Sequence, residues 1–204
     1  FTSWGGDASG TGSSTSVTMN SNKSVTANFL DIKPPRVDGV NLVVNNIGSS
    51  LTEGSVIDES FNQIDVYFTE AVQNTSGGSG DHDAANPANY TLTYLGADDA
   101  VGGGDDQSIT INSAVYSNSE FKTRLSLNNG EALSLGSYKV SVSGVSTIKD
   151  LAGNSLDGNR NGVGGDDFTL TFIVSLPPGR PTLISPLPNA KVSDGLPTFE
   201  WNQA

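Results

Sequence analysis

The chain of 204 residues contains no cysteine, which excludes a disulfide framework, a thiolate metal site and a cysteine nucleophile. Its single histidine, His82, has no second imidazole with which to complete a transition-metal site. No run approaches the ~18 apolar residues of a membrane-spanning helix, and no charged-then-apolar leader pattern is visible in the sequence. Bases are missing over a long stretch: from Val37 to Phe121 there is no Lys or Arg, while thirteen Asp and Glu residues occur there. That region carries the excess acid behind a net charge of −12. Such a surface repels phosphate, so nucleic acid and membrane insertion are excluded among partners. Helical spacing of Ala and Leu is absent too; 24 Gly, 9 Pro and abundant Ser, Thr and Asn favour turns and strands, and the expected class is all-β.

What is present is period-two alternation. Tyr138, Val140 and Val142 alternate with Lys139, Ser141 and Ser143, and Phe168, Leu170 and Phe172 alternate with Thr169 and Thr171. This pattern predicts strands with one wet face. Seven strands are expected: Arg36–Val44, Ile64–Thr69, Tyr90–Tyr94, Ser108–Tyr116, Phe121–Leu127, Ser137–Ser143 and Phe168–Val174. Turns of Gly, Asn and Asp separate them, which predicts two packed antiparallel sheets in a Greek-key sandwich. Asn129-Gly130 is a tight-turn signal after the fifth strand. The expected core is Ile64, Val66, Phe68, Tyr90, Leu92, Ile109, Ile111, Leu125, Leu127, Val140, Val142, Leu170 and Phe172.

On either side lie smaller pieces. Asp31 to Pro35 reads as a stiff extended linker because Pro34 and Pro35 disfavour helix and central strand alike. Residues 1–30 place Trp4, Val17, Met19, Val25 and Phe29 on the apolar side of two or three short strands. A second proline-rich joint follows residue 175, and Pro181–Pro186 and Leu196–Asn202 read as the opening strands of a further domain, too few to hold a core. The sequence starts at Phe1 without Met and stops inside a strand-like run, which reads as an internal piece of a longer protein.

Several blocks resemble known families. Phe1-Thr2-Ser3-Trp4-Gly5-Gly6 with Lys23-Ser24-Val25-Thr26-Ala27-Asn28-Phe29 is similar to the end of a divergent internalin-type repeat of bacterial surface proteins. Ile64–Val72, Asn86–Leu92, Leu133–Gly144 and Asp150–Leu156, in that order over about 35–175, resemble the bacterial Ig-like domain of S-layer and other large surface proteins. The trailing segment is similar to the start of another Ig-like or fibronectin-type domain. The resemblance implies an Ig-like sandwich, an extracellular or cell-surface location, and a structural or adhesive role. Tyr138, in Leu133-Ser134-Leu135-Gly136-Ser137-Tyr138, is expected to return its hydroxyl to backbone just upstream and tie a corner of the sandwich.

Three loops carry candidate chemistry. Asp157, Asn159 and Asn161 followed by Gly162 reproduce the D-x-N-x-N-G start of a calcium loop, with Asp166 and Asp167 the nearest acids to the closing position, which is Phe168. The alternative is a solvated hairpin loop. Asp98, Asp99, Asp105 and Asp106 form a second, weaker calcium candidate, since clustered carboxylates repel unless a cation or water separates them. Asp81-His82-Asp83 is expected to be merely exposed. Calcium is thus the one cofactor to expect. No Ser-His-Asp pattern surrounds His82 and no cofactor fingerprint occurs, so the chain is expected not to be an enzyme. Partners would be neighbouring domains of the same chain, and cell-surface or extracellular polysaccharide or protein. The alternative role is a carbohydrate-binding accessory module of a secreted polysaccharide-active enzyme, stacking sugars on Trp4, Trp201, Tyr67, Tyr94 and Tyr116.

Overall fold

Alternating residues become strands, and the order in which those strands pair decides which loops meet. The computed structural model describes residues 1–145, 147–176, 182–187, 189–191 and 195–202. A small antiparallel pair comes first, β1 (Ser3–Gly6) with β2 (Val25–Asn28). One five-stranded sheet contains β3 (Val37–Val44), β4 (Ile47–Leu51), β6 (Gln63–Phe68), β9 (Ile111–Ser117) and β10 (Lys122–Leu127) in the order β4-β3-β6-β10-β9. The other contains β5 (Ser55–Ile57), β7 (Tyr90–Tyr94), β8 (Gln107–Ile109), β11 (Gly136–Val142) and β12 (Phe168–Val174) in the order β5-β12-β11-β7-β8. The runs β3-β6-β10-β9 and β12-β11-β7 reproduce the strand order of an Ig-type Greek-key sandwich. All pairs are antiparallel except β5 with β12. A last pair, β13 (Leu183–Ser185) with β14 (Glu200–Trp201), follows. Residues 177–181, within the second proline-rich joint and including Pro181, lie outside the described residues.

Two expectations need correction. The sandwich has ten strands among the described residues rather than seven, because β4 and β5 are added and one expected strand divides into β8 and β9. Asn45 and Asn46 both adopt positive φ, 50° and 64°, the mirrored two-residue turn that suits the twist of a hairpin, and so fold β4 back on β3. Ser108–Tyr116 is not one strand: it divides at Thr110 because the chain changes sheet there, leaving Ile109 and Ile111 half-buried at the crossing rather than in the core. Asn129-Gly130 turns as expected, within a short 3-10 segment, and carries β10 across to β11 in the opposite sheet.

Inward-facing side chains of both sheets form one core, with Ile64, Val66, Leu92, Leu125, Leu127, Val140, Val142 and Phe172 excluded from water. Loops contribute as well: Phe61, Val72, Ile148 and Leu156 are equally buried. By contrast the first strand pair holds little. Phe1 stands against Trp4 and Phe29, yet Met19, Val25 and Phe29 are exposed, since two four-residue strands cannot enclose an apolar face.

Register fixes the two ends of the sandwich. Val37 pairs with Phe68, and Val142 with both Tyr90 and Phe168, so the chain comes in at the end that also carries loops 69–89 and 143–167. At the opposite end Gly136 pairs with Val174 and Tyr138 with Tyr94. There the chain leaves β12, beside loop 95–106. We call these the proximal and distal ends.

Candidate functional site

The proximal end gathers most of the polar groups that the fold buries. Pro34 and Pro35 are buried there, so the expected linker is packed against the body. It lies on loop 148–166: the Asp157 N–H donates to Pro35 O at 2.9 Å, and Asn154 Nδ2 donates to Asp31 O at 3.2 Å. Glycine makes the close packing possible. A Cβ at Gly164 would stand 2.1 Å from Ser155 O and 3.3 Å from Pro34 Cβ, and one at Gly144 would stand 1.9 Å from Asp166 O.

Asp157 is wholly buried. Its Oδ2 accepts from Arg36 Nε at 2.9 Å and from Gly162 N at 2.9 Å, and Oδ1 accepts from Asn161 N at 2.9 Å. Burial pushes this carboxyl up, but the Gly162 N–H, the Arg36 guanidinium and the Asn161 N–H outweigh it and hold the group below its ordinary value. Asn159 Oδ1 accepts from Asn161 N, and Asn161 Oδ1 from Val163 N. Asp166 Oδ1 accepts from Gly158 N and Asn159 N, while Asp167 turns to Gly144 N. These oxygens accept from the loop's own N–H groups, and the Arg36 guanidinium stands beside Asp157.

A different set of carboxylates converges. Asp31 of the linker, Glu70 just beyond β6 and Asp150 bring ligand oxygens within 4.8 Å of one another, and this is the one such acidic group among the described residues. Asp150 is buried and accepts from Asn154 N and Asn154 Nδ2, both at 2.7 Å. Burial, then the charges of Asp31 and Asp150, push the Glu70 carboxyl up, opposed by Lys33. Three hard oxygen donors thus meet here, with both Asp150 oxygens already accepting from Asn154. No local spacing announces this group; only the register of β3 and β6 and the docked linker assemble it.

Nearby, Asp83 is buried and gathers the N–H groups of Ser76, Gly78 and Gly80 at 3.0 to 3.2 Å. Burial raises its carboxyl, but those N–H groups hold it below its ordinary value. His82 Nδ1 lies 2.8 Å from Thr147 O, and Asp81 is exposed.

The second candidate loop sits at the distal end, away from the others. Asp105 Oδ2 accepts from Ala97 N, Asp98 Oδ1 from Ala100 N and Asp106 Oδ2 from Gly102 N. Asp106 Oδ1 has no hydrogen-bond partner, and Asp99 takes a positive φ of 54°. These four carboxylates do not form a converging group of three.

Tyr138 is 1 % exposed, and its hydroxyl donates to Ser134 O at 2.8 Å. Of the other aromatics, Tyr94 packs on Tyr138, and Tyr116 turns its hydroxyl to Val72 N. Tyr67 lies on the outer face under Lys122. Trp4 donates Nε1 to Gly12 O, and Trp201 stacks on Phe199 while 60 % exposed. One buried ion group escapes sequence reading: Asp65, 2 % exposed, takes Arg124 through Nε at 2.7 Å and Nη2 at 2.8 Å, with Lys122 at 3.5 Å. Its one signal is that Lys122 and Arg124, the first bases after the cation-free run, alternate on β10, where Arg124 stands opposite Asp65 and Lys122 opposite Tyr67.

No described helix is long and apolar enough to cross a membrane. In comparisons with known proteins, the chain matches no family model, no curated protein and no solved structure.

Proposed function

We propose that the chain is a non-catalytic structural or adhesive module of a secreted or surface-attached bacterial multidomain protein, one of several set in series. One observation carries this reading: the chain comes into the sandwich at Val37 and leaves it at Val174, at opposite ends. A module threaded end to end adds its own length, roughly 24 Å for a seven-residue strand, to whatever precedes and follows it. Small-angle scattering on one copy and on two copies fused head to tail tests this. The longest dimension is expected to rise by about the full sandwich length; a fused pair hardly longer than the single chain would defeat the proposal.

The carbohydrate-binding alternative calls for two or three exposed aromatics on one face. Tyr67 lies on the outer face and Tyr94 and Tyr116 are engaged with the interior, whereas Trp4 is half-buried and Trp201 is exposed and stacked on Phe199.

Calcium belongs to this reading at Asp31, Glu70 and Asp150, where it would join the linker to the body. Thermal melts in calcium and in chelator are expected to differ by about 2.7 kcal/mol at a hundredfold excess over Kd. Glu70→Gln should abolish that shift and, in chelator, melt slightly higher than the parent. The sign follows from the raised carboxyl: the folded state binds the Glu70 proton more tightly, so its penalty is absent below the unfolded pKa and complete above the folded one. Equal melts in calcium and chelator would remove the metal from the proposal.

A further inference from the structure

Several hydrogen bonds join the incoming segment to loop 148–166. Besides the Asn154 side chain to Asp31 O and the Asp157 N–H to Pro35 O, Arg36 Nε reaches Asp157 Oδ2 and Arg160 Nη2 donates to Val37 O at 2.7 Å. The two partners in this contact are held differently. The loop is anchored in the core through Ile148 and Leu156, both fully buried. It is also closed on itself by bridges from Lys149 to Ser155 and from Asp157 to Asp166. Residues 31–35 precede the first ladder pair, Val37 with Phe68, and the backbone is tied toward β6 only from Arg36 onward, whose N–H donates to Thr69 Oγ1 and whose carbonyl accepts from Thr69 N, both at 3.0 Å. Asp157 is common to both sides: its carboxylate shapes the loop through Asn161 and Gly162 and grips the incoming chain through Arg36.

We infer that residues 31–36 and loop 148–166 form a latch pinned by Arg36 on Asp157. It sets the direction in which the chain comes into the sandwich and opens without unfolding either sheet. The inference rests on the serial-module reading, in which a fixed joint makes neighbouring units a rod rather than beads on a string. The energetic argument is one of unequal ties. Opening the latch breaks a few hydrogen bonds and re-exposes Pro34 and Pro35, whereas opening the sheets exposes the whole core. Local opening of that kind lies at the low end of a protein's stability range. Asp157, the first residue of the motif that spacing assigns to calcium, thus holds the guanidinium of Arg36.

Because the chain has no cysteine, a pair of spin labels can be placed cleanly in the full chain. Ile32→Cys and Val163→Cys suit this, since both side chains are exposed on the two halves of the latch. A single narrow distance distribution is expected in the parent. Arg36→Gln, and separately Asn154→Ala, should broaden it and speed exchange of the Asp157 amide about tenfold, while the amides of β11 and β12 exchange as before. A broad distribution in the parent overturns the latch. Narrow distributions in both variants overturn the assigned bonds, and parallel acceleration of the β11 and β12 amides overturns separate opening. Scattering on fused copies reads the serial arrangement independently, so a narrow label distance with no gain in length would sink the serial reading and leave the latch standing.

Discussion

Truncating Tyr138 to alanine is expected to remove about 4 kcal/mol of stability, near the upper part of the range for emptying a large buried site. The ring lies at the centre of an aromatic row. It stacks on Phe172 at 5.5 Å and 14°, meets Tyr94 at 5.4 Å, and Phe172 in turn faces Phe61 at 6.0 Å. These contacts join β7, β11 and β12, three neighbouring strands of one sheet, to the loop that carries Phe61, and the surrounding β-sheet backbone has little freedom to collapse into the hole. The hydroxyl contributes separately through Ser134 O, so Tyr138→Phe is expected to lose about 1 kcal/mol. Denaturant midpoints of the two variants separate ring from hydroxyl. If the alanine variant lost no more than the phenylalanine variant, the aromatic row would not hold the sandwich together.

The sequence makes some of this architecture legible and hides the rest for identifiable reasons. Tyr90–Tyr94 and Phe168–Val174 are read to the residue, because strict alternation between turn residues leaves one register that buries the apolar set. β4 and β5 escape because they are edges: Ile47-Gly48-Ser49-Ser50-Leu51 and Ser55-Val56-Ile57 carry no alternation, and their pairing is decided by β3 and β12. The one local clue, Asn45-Asn46, is a hairpin turn written without glycine. For the proximal end, spacing identifies Asp157, Asn159 and Asn161 as residues that share a loop, but ligand-like spacing does not say what those oxygens accept from. They accept mostly from N–H groups of the loop itself, but one donor to Asp157, Arg36, is 121 positions away. Asp31, Glu70 and Asp150 are likewise dispersed along the chain and meet only when the linker docks.

Much of the polar burial is therefore concentrated where the chain comes in, and that asymmetry has a physical reason. Loops 69–89 and 143–167 are long and irregular, so their backbone N–H groups need acceptors that no ladder supplies. Asp83, Asp150 and Asp157 provide them from inside. A buried carboxylate surrounded by N–H groups satisfies several donors at once, which a neutral side chain of the same size cannot do.

Asp157→Ala is accordingly expected to lose about 3 kcal/mol near neutral pH, the lower end of what breaking a buried ion pair costs, because Arg36 at 31 % side-chain exposure can turn to water. Most of the loss falls on the Asn161 and Gly162 N–H groups, left without their acceptor in a dry site. Asp157→Asn should lose less, since one oxygen remains to accept from one of them. The pH dependence has a definite sign. Because the folded state holds this carboxyl below its ordinary value, its contribution is complete above the unfolded pKa and disappears as pH falls through the folded one. The gap between parent and Asp157→Ala should thus be widest near neutrality and begin to narrow toward about pH 3. Chemical denaturation at the two pH values measures it. An undiminished gap through the whole acid range would mean that the carboxylate acts only by its size, whereas closure of the gap would identify its charge as what holds the loop and the incoming chain together.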